Sequence, residues 1–201
     1  MEEIKFYRAN EEPYGRFSNL FKRSIEFEGE TFETSEHAYQ AGKARKPQVR
    51  EWILAAPSPA LVAMAAHGLY WWDIRSDWSK IKFDRMRDVL RAKFSQHQDL
   101  RELLLSTGEA RLVEAATVDN TVNRTWGEVN GVGKNMLGKL LMEVREELRN
   151  AASKQAPTKA KKTATKATTA KVQSKPAAKM PGKAAPAKKA RKTSTVAQAV
   201  A

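Results

Sequence analysis

The sequence has no cysteine, and after residue 150 it has neither an acidic nor an aromatic side chain. The absence of cysteine excludes disulfides, zinc sites built on thiolates and catalytic cysteine nucleophiles. No apolar run approaches the roughly 18 residues that a membrane span requires. The acidic segment Met1–Lys5 also lacks the apolar stretch of a secretory signal. These absences favour a cytoplasmic protein that does not contact a membrane.

Several common catalytic motifs are missing as well. His37, His67 and His97 share no metal-ligand spacing, and the patterns HExxH, GxSxG and GxGxxG do not occur. The sequence therefore predicts no metal site and no cofactor. It gives no support to a zinc protease, a serine hydrolase or a dinucleotide-binding fold.

The positive charge of the chain is confined to its end. The 201 residues carry 36 Lys and Arg against 23 Asp and Glu, a formal net charge of +13. Within residues 1–150 acids and bases balance, whereas residues 151–201 hold twelve lysines and Arg191. A segment of Ala, Lys, Thr, Pro and Ser has too little apolar surface to offset its ordering entropy. We predict a folded domain over 1–150 and a disordered basic tail over 151–201.

The hydrophobic pattern predicts a mainly α domain with a small N-terminal β hairpin. Gly29 is expected at the hairpin turn. Strands are expected at 4–7, 24–28 and 31–32. Helices are expected at 35–45, 48–55, 59–67, 77–96, 99–107 and 135–149.

The helix opened by Ser35 carries the clearest set of candidate catalytic groups. At 100° per residue, four polar or aromatic side chains fall within about 100° of arc: Glu36, Tyr39, Gln40 and Lys43. A carboxylate in the first turn lies beside the positive end of the helix dipole. Glu36 could therefore act as an acid, a base or an electrostatic stabiliser. The alternative is a solvated helix with ordinary surface charges.

Two further patterns could bind a ligand. The segment Gly131–Asn135 precedes a helix, where glycines and free backbone N–H groups suit phosphate, although the spacing is not that of a Walker A motif. A plain loop-to-helix junction is the alternative. Aromatic side chains could stack on a base, although tryptophan also commonly belongs to a core. They are Trp71, Trp72, Trp78 and Trp126.

Several short sequence motifs are spread over the whole domain, and their order along the chain is informative. The most specific is Phe32–Lys43 (FETSEHAYQAGK), which follows Tyr14–Leu20 (YGRFSNL). Weaker ones are Asp77-Trp78, Arg91–Phe94, Leu103–Gly108, Leu112–Glu114, Trp126-Gly127, Gly133–Asn135 and Leu137-Gly138. In this order they resemble the NADAR family, the YbiA-like N-glycosidases. The resemblance covers residues 4 to about 148 and leaves the tail outside.

The resemblance implies a YbiA-like fold and a hydrolase that cleaves the N-glycosidic bond of a phosphorylated riboside. The substrate classes of the family are ribosylamino-pyrimidine intermediates of riboflavin synthesis and ADP-ribose attached to guanine. By position, Glu36 matches the catalytic glutamate, and Lys43 matches a lysine of the same motif. Further positions are expected to bind substrate: Gly15, Phe17, Ser18, Asn19, His37, Gln40, Trp78, Asn123, Trp126, Gly127, Gly133, Lys134 and Asn135.

One position departs from the family pattern. Members usually have an Asp three residues before the Trp-Gly pair, where this chain has Asn123. Either Asp119 supplies the carboxylate through a longer loop, which we favour, or Asn123 replaces it, and an amide cannot act as a base.

These residues predict a mechanism. We expect Glu36 to stabilise positive charge at the ribose C1 and Asp119, with a raised pKa, to protonate the leaving nitrogen. In the alternative path, a neutral Lys43 traps the opened ribose as an imine.

The tail resembles those of linker-histone-like proteins, and we expect it to bind nucleic acid through phosphates. A solubilising extension is the alternative. Tethering to DNA or RNA makes ADP-ribosylated guanine in nucleic acid the favoured substrate and a nucleoid- or DNA-associated location natural. A free riboflavin intermediate would gain nothing from it. A non-catalytic ADP-ribose reader and an architectural DNA-binding protein remain as alternatives of other classes.

Overall fold

The computed structural model describes residues 2–155. Residues 156–201, nearly all of the segment for which we predict a disordered tail that binds nucleic acid, lie outside the described residues. The last helix continues through 151–155, the first residues that the sequence analysis assigned to the tail. Ala151 and Ala152 have high helix propensity, which explains this extension.

The described part of the chain is mainly helical, as the sequence predicts. It forms the strands β1 (Glu3–Phe6), β2 (Ile25–Phe27), β3 (Glu30–Phe32) and β4 (Arg111–Glu114). Its α-helices are α1 (Ser35–Ala41), α2 (Pro47–Leu54), α3 (Pro59–His67), α4 (Trp78–Gln96), α5 (Gln98–Ser106), α6 (Thr121–Trp126) and α7 (Met136–Gln155). Short 3-10 turns occur at Tyr14–Phe17 and Trp71–Asp73.

The small hairpin is confirmed. Strands β2 and β3 pair antiparallel with Ile25 opposite Phe32. The turn between them needs positive φ at two successive positions, Glu28 (53°) and Gly29 (80°). Glycine meets this requirement without a steric penalty.

The sequence did not predict that β1 pairs with a second strand. Strand β4 lies parallel to β1, with Ile4 opposite Leu112 and Phe6 opposite Glu114. Only two residues of β4 are apolar, so the pattern gave no strand signal there. The short helix α6 was also missed, because it spans six residues.

Helix α1 is the buried centre of the fold, since all seven of its residues are buried. Its start is capped by Thr34, whose Oγ1 accepts a hydrogen bond from the His37 N–H. The backbone N–H of Glu36 donates to the Asn19 carbonyl at 3.1 Å. The loop before the hairpin is thereby fixed to the first turn of α1.

Helix α1 ends four residues earlier than predicted, because a side chain of α4 binds the carbonyl groups at its C-terminus. Arg85 donates from Nη2 to the Ala38 carbonyl (2.7 Å) and from Nε to the Tyr39 carbonyl (3.2 Å). The Tyr39 carbonyl also accepts from the Gly42 N–H (3.2 Å), and Arg85 adds a side-chain donor at this helix C-terminus, where carbonyls commonly lack partners. The guanidinium occupies the space beside Gly42, where a Cβ would lie 2.1 Å from Nε.

The main core joins α4, α5, α7 and the β1–β4 pair around aromatic side chains. Its fully buried members include Phe17, Leu90, Phe94, Leu100, Leu104, Leu112 and Leu141. Lys93 is also fully buried, and its Nζ donates to the carbonyls of Arg16 (2.7 Å) and Ser18 (3.0 Å). Burial lowers the pKa of Lys93 to about 7. This side chain fixes the segment that leads into the site described next.

Candidate active site

A cleft of about 260 Å³ opens where α1, α3, α6 and the carboxyl end of β4 meet. It combines carboxylate, amide, basic and aromatic side chains. They include Tyr7, Arg8, Ser18, Asn19, Glu36, Tyr39, Gln40, His67, Glu114, Asn123 and Trp126. Such a mixture of apolar walls and few convergent polar groups is typical of a ligand site.

Glu36 lies in the first turn of α1 and is buried in the wall of the cleft. Its Oε1 accepts a hydrogen bond from Gln40 Nε2 at 2.8 Å, one helical turn further along. Burial raises the pKa of Glu36, while the hydrogen bond from Gln40 and the charge of Lys43 act in the opposite direction. The predicted helix face therefore exists, but it faces the protein interior and not solvent.

Glu114, the last residue of β4, brings a second carboxyl group to the same cleft. Burial, and then the negative charge of Glu36, raise the pKa of Glu114 to about 7. Two carboxyl groups that influence each other in one cleft titrate as a pair. Near neutral pH such a pair can hold one proton, which is the state an acid and an electrostatic stabiliser require.

Close backbone packing holds Glu114 in place. The Asn135 side chain accepts from the Glu114 N–H (3.1 Å) and donates to the Leu112 carbonyl (2.8 Å). A Cβ at Gly127 would lie 2.2 Å from the Glu114 carbonyl oxygen, and one at Gly133 would lie 2.1 Å from the Gly127 carbonyl oxygen. These glycines and Asn135 do not line the cleft; they fix the strand that carries its second carboxyl group.

Two buried acceptors in the cleft wall lack a protein partner. The Asn19 Oδ1 and Gln40 Oε1 atoms have no hydrogen bond among the described residues. Leaving a buried polar atom unsatisfied is costly unless a ligand or water satisfies it. These oxygens suit a ligand with hydroxyl or amino donors.

One exposed cation borders the cleft. Arg8 follows β1, and its guanidinium forms no ion pair with any described residue. Gly15 allows this loop to pack closely, because a Cβ there would lie 2.5 Å from the Arg8 carbonyl oxygen. Gly15 thus contributes through the loop and not by lining the cleft.

Asn123, not Asp119, lines the cleft. Asp119 forms a bidentate ion pair with Arg124, with Nη2 to Oδ2 at 2.7 Å, and this partner lowers the pKa of Asp119. The raised pKa that we expected at Asp119 is found at Glu114. Asn123 lies in α6, which begins at the Asn120 cap, and its Nδ2 donates to the Val118 carbonyl at 2.7 Å.

Lys43 lies near the cleft but does not line it. It is buried, and its Nζ donates to the Ala66 carbonyl in α3. Burial lowers the pKa of Lys43, while the charge of Glu36 opposes this effect. The lysine therefore ties the region after α1 to α3 and adds positive potential near Glu36.

Three other predicted substrate-binding side chains belong to the packing of the domain. Phe17 is fully buried, with its ring centroid 5.7 Å from that of Phe6. Trp78 packs against Tyr39 at 5.0 Å, and His37 Nδ1 hydrogen-bonds Thr34 Oγ1 at 2.7 Å. These side chains support the cleft from behind.

The predicted phosphate loop does not reach the cleft either. The Lys134 side chain is exposed, its backbone N–H donates to the Arg124 carbonyl, and neither Gly133 nor Asn135 lines the cleft. The predicted residues that the structure brings together are Ser18, Asn19, Glu36, Gln40, Asn123 and Trp126.

Among the polar lining residues, the sequence analysis named no role for Tyr7, Arg8, His67 or Glu114. Glu114 lies within the matched segment Leu112–Glu114, so its position was visible but its role was not. Within residues 2–155 no group of three or more His, Asp or Glu could hold a metal ion. In that same range no helix is long and apolar enough to cross a membrane.

We expect Glu36 and Glu114 to titrate as a coupled pair. In Glu36→Gln the pKa of Glu114 should fall below about 7, because the neighbouring negative charge is gone. Carboxyl-carbon NMR titration measures both values. A Glu102→Gln variant on α5, which does not line the cleft, should leave the pKa of Glu114 unchanged. An unchanged Glu114 titration in Glu36→Gln would contradict the coupling.

The same pair predicts a pH dependence of stability. A carboxyl group whose pKa is raised from 4.5 to about 7 holds a proton in the folded state that the unfolded state has released. The contribution of Glu114 to the free energy of unfolding therefore falls as pH rises through this interval. Denaturation of wild type and Glu114→Gln across this range should show a smaller decrease in the variant.

Gly127→Ala should destabilise the domain, because the new Cβ would overlap the Glu114 backbone at 2.2 Å. We expect a loss of about 1–3 kcal/mol. Gly68→Ala is the matched control, since its Cβ would meet its nearest neighbours at an ordinary 3.6 Å. Chemical denaturation measures both, and equal stabilities would refute the proposed close packing.

Comparison with known proteins places the chain in a family. Residues 5–149 match the NADAR domain. The N-glycosidase YbiA of Shigella flexneri is 44% identical over 146 residues, which are 72% of this chain and 88% of that protein. A longer protein of Vibrio vulnificus, the riboflavin biosynthesis protein VVA0006, is 35% identical over 153 residues, 76% of this chain and 40% of that protein. The NMR structure of the Escherichia coli protein YbiA has 38% identity and a TM-score of 0.67, covering 80% of this chain and 94% of that one. The chain therefore belongs to the NADAR domain family and has the YbiA fold.

Proposed function

We propose that the cleft hydrolyses the N-glycosidic bond of a phosphorylated riboside, with ADP-ribose attached to guanine in nucleic acid as the favoured substrate. The chain is a hydrolase acting on N-glycosyl bonds, as its N-glycosidase relatives are. One observation carries the catalytic assignment: Glu36 and Glu114 line a single cleft, and the pKa of each is raised. A site that only reads ADP-ribose has no need of such a pair.

The surroundings divide the roles between the two carboxyl groups. Glu36 has groups that favour its charged form, the Gln40 donor and the Lys43 cation, whereas burial and the charge of Glu36 both keep Glu114 protonated. Glu36 then stabilises the positive charge that develops at the ribose C1. Glu114 donates its proton to the leaving nitrogen, the role that the sequence analysis gave to Asp119.

The reaction balances with water as the only co-reactant. The C1–N bond breaks as the nitrogen takes the proton of Glu114. Water then bonds to C1, and the proton it releases restores the singly protonated carboxyl pair. We assign the orientation of this water to Glu36, which lines the same cleft as Glu114.

The remaining cleft residues fit a phosphorylated riboside. The unpartnered acceptors Asn19 Oδ1 and Gln40 Oε1 can receive hydrogen bonds from ribose hydroxyls. Trp126 is half-buried beside Tyr39, with ring centroids 5.4 Å apart, and can pack against the sugar or base. The exposed Arg8 is the candidate partner for phosphate at the rim.

The tail supports a substrate within a nucleic acid. Residues 151–201 carry thirteen basic and no acidic side chains. Such a segment binds polyanions with little sequence preference and raises the concentration of the domain along them. A free small molecule gains nothing from this charge.

Hydrolysis of ribosylamino-pyrimidine phosphates is the second candidate. It is favoured by the name of the Vibrio vulnificus relative, a riboflavin biosynthesis protein. Both substrates present the same group to the cleft, a riboside joined to nitrogen. They differ in the base that leaves and in what lies beyond the phosphate.

A covalent path through Lys43 is the mechanistic alternative. Its lowered pKa favours the neutral amine that an imine requires, but its Nζ is engaged by the Ala66 carbonyl. Direct hydrolysis needs no such rearrangement, and we favour it.

The test uses full-length protein and a DNA oligonucleotide that carries ADP-ribose on guanine. Wild type should release ADP-ribose, and Glu36→Gln and Glu114→Gln should lower kcat by roughly 100-fold or more. The wild-type rate should fall above about pH 7, where Glu114 loses its proton. The pH profile of Glu114→Gln should lack this alkaline limb. If Asp119→Asn removes the limb instead, Asp119 is the acid. Glu102→Gln controls for a distant carboxylate-to-amide change.

A ribosylamino-pyrimidine phosphate in the same assay separates the two substrates. Its cleavage without release from the oligonucleotide would transfer the function to the second candidate. Binding of ADP-ribose without cleavage of either would indicate a reader. Borohydride added during turnover should trap no adduct, and a Lys43-dependent adduct would establish the imine path.

A further inference from the structure

Four large aromatic side chains form an exposed surface that the catalytic cleft does not use. They are Trp52 in α2 and Tyr70, Trp71 and Trp72 before α4, with exposed fractions of 60%, 64%, 80% and 45%. We call this set the aromatic surface. Single exposed apolar residues need no explanation, but a cluster of this kind marks an interaction site.

The aromatic surface is ordered before any ligand binds. The rings of Tyr70 and Trp72 stack with centroids 4.6 Å apart and planes 9° apart, and Trp71 meets Trp72 edge-on at 5.6 Å. The Asp73 N–H donates to the Tyr70 carbonyl (3.0 Å), and the Asp73 carbonyl accepts from the Arg45 N–H (2.7 Å). A fixed turn thus presents Trp71 to solvent, so stacking on it would cost little ordering entropy.

A depression of about 320 Å³ lies within the aromatic surface. Trp52 and Tyr70 form aromatic walls, and the Gln48 amide and the Asp73 carboxylate supply polar atoms. Flat apolar walls with a few hydrogen-bonding groups at one edge match an unpaired nucleobase.

The charges around the aromatic surface fit a phosphate backbone. Arg45 is exposed and forms no ion pair among the described residues. Lys46 pairs with Asp73 at 3.4 Å, but the lysine side chain is 58% exposed and the carboxylate only 18%. Glu51, beside Trp52, opposes part of this charge. The basic tail supplies most of the attraction, so the aromatic surface needs only to bind bases.

A short stretch of backbone links the cleft to the aromatic surface. His67 at the end of α3 lines the cleft, and Tyr70 follows three residues later, at most about 11 Å away along the backbone. Bases next to a nucleotide held in the cleft would therefore come close to these rings.

We propose that the aromatic surface binds unpaired bases of a single-stranded nucleic acid by stacking, beside the catalytic cleft. This proposal rests on the proposed substrate, a modified guanine within a nucleic acid. It assigns to Trp71 the exposed stacking face and to Trp52 and Tyr70 the walls of a base pocket.

The test measures binding of a fluorescein-labelled oligothymidine to full-length protein at several salt concentrations. Trp71→Leu should weaken binding by roughly 5- to 100-fold, the cost of losing one stacked base. Trp71→Phe should restore most of it, because phenylalanine keeps an aromatic face. The slope of affinity against salt should not change, since no charge is removed. Oligothymidine should also quench tryptophan fluorescence less in Trp71→Leu than in wild type.

Two controls define failure. Val132→Ala removes an exposed apolar contact (56% exposed) outside the aromatic surface and should bind like wild type. A duplex oligonucleotide, whose bases are paired, should bind wild type and Trp71→Leu equally. Wild-type affinity of Trp71→Leu for oligothymidine would overturn the proposal. Equal weakening in Trp71→Leu and Trp71→Phe would also overturn it.

The proposal and the proposed function can fail separately. Trp71→Leu should release ADP-ribose from ADP-ribosylated guanosine, which has no neighbouring bases, at the wild-type rate. Weakened oligothymidine binding with no release by wild type would leave the aromatic surface in place and reject the substrate. Normal release of ADP-ribose by wild type, together with unchanged oligothymidine binding in Trp71→Leu, would support the substrate and reject the aromatic surface as a binding site.

Discussion

The burial of α1 is the constraint on which the surrounding structure depends. A helix with all seven residues buried must satisfy its terminal backbone groups within the protein. Thr34 and the Asn19 carbonyl serve the amino end, and Arg85 serves the carboxyl end. Since these partners come from three different segments, the position of α1 fixes the loop, the hairpin and α4 together. Glu36 is thereby held in a poorly solvated wall, where its charge acts strongly on a ligand.

Close backbone contacts fix the position of Glu114, whereas the burial of a helix fixes the position of Glu36. Glu114 stands at the end of a four-residue strand that is held by the Asn135 side chain and by Gly127, which packs against the Glu114 carbonyl. The opposite pKa shifts of Asp119 and Glu114 follow from their positions. A carboxylate on an exposed loop pairs with an arginine, which lowers its pKa, whereas desolvation at the end of a strand raises the pKa of the other.

Local signals in the sequence predicted much of the fold but only half of the cleft. Caps, prolines and the period of apolar residues located the main helices and the hairpin, and the face of α1 identified Glu36 and Gln40. Strand β4 carries too few apolar residues to be recognised, and its partner lies 108 residues away in the chain. The sequence motif that contains Glu114 could therefore be matched to the family, but the sequence did not indicate that Glu114 lines the cleft. Asn135 was assigned to phosphate because a glycine-rich junction has the same local sequence whether it binds a ligand or braces a strand.

The pairing of β1 with β4 also orders the assembly of the enzyme. Contacts between residues so distant in sequence form late, because the loop between them must close first. During synthesis β1 emerges long before its partner, and the residues that brace β4 follow only after residue 126. A nascent chain therefore contains Glu36 long before it contains Glu114. The cleft can thus be complete only after residue 135 has been made, when nearly the whole domain is present.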